Sequence, residues 1–83
     1  MDYSGAIMSD VDYKVSFGEM LKSYRKTHGY TQEEFAYKVG MYYTYYGKIE
    51  RGENSISLSK IESISKVIDT PISEMFKRAE LMG

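Results

Sequence analysis

Cysteine and tryptophan are absent from these 83 residues, and there is a single proline and a single histidine. Without cysteine, no disulfide and no thiolate zinc site can staple the chain. The lone histidine, His28, has no carboxylate partner at ligand spacing, so no metal site is expected. It has no nucleophile partner either. G-x-S-x-G, Walker and H-E-x-x-H patterns are all missing, which leaves catalysis without a foundation. No cofactor and no small-molecule ligand are expected. No apolar run approaches the ~20 residues that span a bilayer, and no signal-peptide pattern opens the chain. The expected setting is cytoplasmic. Charge of one sign is lacking as well. Eleven Lys and Arg stand against twelve Asp and Glu, for a net charge of −1, which argues against indiscriminate polyanion binding. Any nucleic-acid face has to arise from segregation of charge.

What the chain does have is helical periodicity. Residues 1–13, MDYSGAIMSDVDY, show no sustained period and are expected to form a flexible leader, with residues 14–83 making one small domain. The leader is acidic and has no Lys or Arg to enter a groove. Ser16 and Glu19 have the spacing of a capping box, with Val15 and Met20 at the staple positions. Phe17, Met20, Leu21 and Tyr24 then form an amphipathic stripe, and Gly29 ends the first helix. Thr31 and Glu34 form another capping box, flanked by Tyr30 and Phe35. Phe35, Ala36 and Val39 share a face, and Gly40 closes that helix. A third helix is expected over Tyr43–Glu50, with Tyr46 and Ile49 inward and Gly52 after it. Ser57 caps a fourth, Leu58–Ile68, whose apolar face is Leu58, Ile61, Ile64, Val67 and Ile68. Pro71 suits the first position of a fifth, capped by Thr70, with Ile72, Met75, Phe76 and Ala79 as its stripe. The predicted fold is all-α, with five short helices.

The run Thr31–Asn54, TQEEFAYKVGMYYTYYGKIERGEN, is helix, glycine turn and helix, the sequence form of a helix-turn-helix. Its TQEEFA, Gly40, TYY and KIERGE elements resemble the lambda-repressor/Cro-like, or XRE, helix-turn-helix family, over roughly Phe17 to Phe76. The resemblance implies a compact five-helix domain whose third helix enters the DNA major groove. It places Tyr43, Thr44, Gly47 and Lys48 toward base edges. Lys48 can donate to guanine and the Thr44 methyl can touch thymine. Tyr43 is bulky there, and Gly47 allows close backbone approach. Thr31, Gln32 and Tyr45 fall at the phosphates, and Arg51 and Asn54 in the loop that follows them. Tyr42 stands where the family often has a capping Asp, Ser or Thr. The resemblance also implies a partly buried ion pair between Arg25 and Glu50. It further implies a homodimer on a palindromic operator with half-sites ~34 Å apart. Met75, Phe76, Leu81 and Met82 are the candidate dimer interface.

Within the family, the TYYGKIERGEN run resembles the controller proteins that accompany restriction–modification genes; phage repressors and antitoxins are close competitors. A second reading stays open. The clustered tyrosines Tyr42, Tyr43 and Tyr45 suit a protein-binding patch, and a helix-turn-helix can serve as a protein-interaction module of antitoxin-like or anti-repressor-like kind. Charge placement divides the two. Lys38, Lys48 and Arg51 on one uninterrupted face favour DNA; intrusion by Glu33 or Glu53 favours a protein partner.

Overall fold

Five helices follow one another along the chain: α1 Asp10–Thr27, α2 Gln32–Lys38, α3 Tyr43–Glu50, α4 Leu58–Val67 and α5 Ile72–Met82. They are seen in a computed structural model that describes residues 10–82, among which no strand occurs. The helix starts are set by side chains. The Thr31 hydroxyl accepts the Glu34 N–H at 3.1 Å, and the Glu34 carboxylate accepts the Thr31 N–H at 2.9 Å, a complete capping box. Ser57 accepts the Lys60 N–H at the start of α4. Tyr42, ahead of α3, makes no side-chain cap.

The helix ends share one device. After each of α1 to α4 two backbone N–H groups turn back onto the last carbonyls: Gly29 and Tyr30, Gly40 and Met41, Gly52 and Glu53, Asp69 and Thr70. This is the Schellman closure, which requires a left-handed residue. Glycine fills that position three times, but Asp69 fills it after α4 with φ 51°.

Three boundaries differ from the sequence expectation. α1 begins at Asp10, so residues 10–13 of the expected leader are helical; residues 1–9 lie outside the described residues. Ser16 is buried in mid-helix and caps nothing, and Val15 is exposed. The cause is tertiary. Tyr13 lies four residues before Phe17, and both rings pack on Phe76, at centroid distances of 5.6 and 5.3 Å. The Tyr13 hydroxyl also donates to Glu80 at 3.3 Å. At the other end, the Pro71 carbonyl takes the first bond of α5, from the Met75 N–H, so Pro71 precedes the helix. The Thr70 hydroxyl donates backward to the Ile68 carbonyl instead of capping. α4 ends at Val67, with Ile68 as the residue that caps it; Leu58 is exposed, and Ile61, Ile64 and Ile68 carry the buried face.

The broadest helix–helix interface joins α1 to α5, and α3 packs on both α1 and α2. Phe17, Met20, Leu21, Phe35, Tyr46, Ile49, Ile64 and Met75 form the centre of a single core. Met75 was a candidate for the dimer interface, but its side chain is 0 % exposed in this core. Phe76 is half-buried against α1.

Candidate nucleic-acid interface

The α2–turn–α3 unit is held from below by aromatic contact. The Phe35 ring sits 5.8 Å from Tyr24, 5.6 Å from Tyr30 and 5.5 Å from Tyr46, in tilted and edge-on arrangements that aromatic pairs prefer. Tyr46, Gly47, Ile49 and Glu50 are the buried residues of α3. Its open face therefore carries Thr44, Lys48 and Arg51, all exposed and spaced i, i+4, i+7. Tyr42 and Tyr43 are exposed at its start.

Glu50 anchors this helix from the inside. Its carboxylate accepts four hydrogen bonds: Arg25 Nε at 2.6 Å, Arg25 Nη2 at 3.2 Å, Gln32 Nε2 at 3.0 Å and the Tyr46 hydroxyl at 2.5 Å. Arg25 also donates through Nη1 to the Tyr30 carbonyl, tying α1 to the loop before α2. Burial by itself would raise the Glu50 carboxyl pKa. The bonds from Arg25, Gln32 and Tyr46, with the attraction of the Arg25 charge, outweigh it and hold the carboxyl below its ordinary value. Burial, and then the adjacent Glu50 carboxylate, push the Tyr46 hydroxyl well above the usual phenol range. Among the described residues no buried side-chain polar atom lacks a partner. The ion pair is thus satisfied in full, the condition under which a buried pair is tolerated.

The other site residues divide. Thr31 is occupied as the α2 cap. Gln32, in the first turn of α2, gives one amide proton to Glu50, which fixes the side chain between α2 and α3. Gly47 is buried and is not a bare strip of backbone. A Cβ built on it would meet Arg51 Nη1 at 3.2 Å and Gln32 Oε1 at 3.9 Å, so those two side chains lie across it. Tyr45, expected at the phosphates, is half-buried against the core, with its hydroxyl 3.4 Å from the Ser55 carbonyl. Asn54 is half-buried and lines a groove of about 350 Å³ beside Tyr13, Phe17 and Phe76. It stands apart from the open stripe of α3.

Charge placement is mixed. Lys48 is exposed, and Lys38 lies with Nζ 5.6 Å over the Tyr30 ring. Arg51, however, is joined to Glu53 at 2.8 Å, with both side chains about half exposed. Glu53 therefore does intrude on the face. Sequence reading missed this pairing, and it missed Gly18, which lets α1 lie directly on the end of α3. A signal for the second existed, because a glycine inside a helical stripe has a reason to be there.

A helix-turn-helix family model matches residues 21–75 of the chain. The control protein C.MunI of a Mycoplasma species is 39% identical over 70 residues, covering 83% of this chain and 95% of that protein. The control protein C.SmaI of Serratia marcescens is 31% identical over 71 residues, covering 86% and 84%. Among solved structures, the restriction-modification controller protein C.AhdI from Aeromonas hydrophila superposes with a TM-score of 0.69 at 32% identity, over 75% of this chain and 94% of that one. The family model spans more than half of the chain and the superposition covers three quarters of it, and the chain belongs to the XRE-type helix-turn-helix family.

Proposed function

We infer that the protein is a sequence-specific, double-stranded DNA-binding transcriptional regulator that presents α3 to the major groove as a homodimer. The observation that carries this reading is the open stripe of Thr44, Lys48 and Arg51 on a helix whose opposite side is bound through Glu50 to both α1 and α2. A reading helix has to be rigid, because base contacts discriminate only when register is held. Lys48 supplies a donor for guanine, Thr44 a methyl for thymine, and Tyr43 an aromatic edge at the helix start. Gln32 and the α2 N-terminus supply phosphate donors. Control of restriction–modification genes is the narrower role supported by the relatives' names.

The end of α5 supports the dimer. Leu81 is 82% exposed and Met82 46% exposed, beside a groove of about 470 Å³ that includes Met20, Tyr24 and Ile68. Met75 and Phe76 serve the chain's own packing, which leaves Leu81 and Met82 as the interface residues of the four. Pairing two chains doubles a modest positive stripe and matches a palindromic operator. No helix among the described residues is long and apolar enough to cross a membrane. A cytoplasmic place follows from a DNA target. The protein is read as a binding module and not an enzyme, and no group of side chains that could hold a metal occurs among the described residues.

The protein-partner reading has one observation in its favour: Tyr37 and Tyr42 are almost fully exposed while Glu53 neutralises Arg51. Selection from a random duplex pool, followed by affinity measurements at two salt concentrations against a scrambled duplex, separates the two. Enrichment of a two-fold symmetric sequence with a steep salt dependence is the expected result. No enrichment, with equal weak binding to both duplexes, would overturn the DNA reading in favour of a protein partner.

A further inference from the structure

We propose that Glu53 is a positioning residue for Arg51: it lays the guanidinium along α3 and thereby suppresses binding to non-cognate DNA. The proposal rests on the reading of α3 as the DNA-contacting helix and names a residue that refines its specificity.

The geometry is built into the backbone. Arg51 is the C-cap of α3, Gly52 takes φ 74°, and the Glu53 N–H returns to the Lys48 carbonyl at 2.9 Å. This closure brings the Glu53 side chain back beside Arg51. The contact is two-pronged, with Nε to Oε2 at 2.8 Å and Nη2 to Oε1 at 3.3 Å. A bidentate pair fixes the plane of a guanidinium as well as its position. The remaining nitrogen, Nη1, donates to no group among the described residues and lies over Gly47, toward Gln32. Gly47 has no side chain to block that path.

Arg51 thus reaches DNA with its charge already matched by a carboxylate. Non-specific binding depends on phosphate neutralisation by unpaired cations, so the pair weakens attachment to arbitrary duplex. At a cognate site the base contacts of α3 set the register, and Nη1 is presented in a fixed direction. Glu53 lowers affinity everywhere, but it lowers it least where orientation matters.

The test uses the full chain, a duplex selected from a random pool, and a scrambled duplex, across a salt series. In E53Q the scrambled duplex should bind roughly three- to tenfold more tightly, with a salt slope steeper by about one. The selected duplex should change less, so the specificity ratio falls. E53D keeps the charge but shortens the reach; its ratio should fall while its salt slope stays that of the parent. In an R51Q background, E53Q should leave the ratio unaltered. An unchanged ratio in E53Q, or the same effect with and without Arg51, overturns the proposal alone. Failure of the parent protein to bind either duplex overturns the DNA reading and the proposal with it. Glu53 is exposed at the helix end, and unchanged helical circular dichroism confirms that each variant is folded.

Discussion

Gly18 of α1 lies directly against the backbone carbonyl of Glu50: a Cβ at Gly18 would stand 2.5 Å from that oxygen and closer still to the carbonyl of Ile49. Two helices meet here backbone to backbone. In an open helix, Gly→Ala stabilises by ~1 kcal/mol. At this position the added methyl meets fixed carbonyls, and overpacking of this kind costs ~1–3 kcal/mol or more. G18A is therefore expected to destabilise the protein by about 2 kcal/mol in a urea titration. A neutral or stabilised G18A would show that α1 is free to move off α3.

The Glu50 cluster gives the sharpest stability signal. E50A leaves Arg25 buried without its partner, at a cost of about 3–5 kcal/mol. The pH response follows from the same bonds. The native Glu50 pKa lies below its ordinary 4.5, so its contribution is present above that value and is lost as pH falls through the native one. Tyr46 has the opposite sign. Its native pKa lies above the ordinary 10.0, so its contribution is full below pH 10.0 and declines above it. Stability should form a plateau between these limits, and E50Q should flatten the acid limb. Denaturant midpoints measured across the pH range check both arms.

Asp69 adopts the left-handed conformation that glycine holds at the other three closures. A side chain there is strained, and a carboxylate at a helix C-terminus opposes the dipole. D69G is expected to stabilise by about 0.5–1 kcal/mol, less than the full strain because glycine loses more chain entropy on folding. Thermal melting checks this, and a lowered midpoint would mean that Asp69 makes a compensating contact.

Leu81 and Met82 are the apolar groups that the single chain leaves uncovered at the end of α5. The L81S/M82S double variant should remain folded and sediment as a monomer at concentrations where the parent is a dimer. It should also lose much of its affinity for a two-fold symmetric duplex. M75S, in contrast, should unfold the chain, because Met75 is buried. A parent protein that is monomeric at all concentrations would remove the dimer from the proposed mechanism.

Caps and closures were the most legible part of this chain. Thr31–Glu34, Ser57, Gly29, Gly40 and Gly52 act within a few residues of themselves, so spacing and residue type suffice to place them. The same local logic misled at Ser16, where a capping-box spacing lies inside a helix, and at Thr70, whose hydroxyl turns backward. In both cases the competing contact comes from outside the local window or from the geometry of the preceding closure. Tyr45 was misplaced for a related reason: a tyrosine between the two faces of a short helix goes where the following loop gives it cover.

The sequence by itself determined that the chain is helical, where α2, α3 and α4 begin, and that α2, its turn and α3 form a helix-turn-helix, because these depend on hydrogen bonds and periodicity within one or two turns. Tertiary structure alone decided how far α1 extends, since Phe76 and Glu80 of α5 cover Tyr13. It decided that Met75 belongs to the core and Leu81 to the surface, although both are apolar residues of one helix. It also decided that Glu53 holds Arg51, whereas the Arg25–Glu50 pair was already implied by the family resemblance. The sequence marks each of these groups as apolar or charged, but only the packed chain sets which of them meet and which are left to solvent.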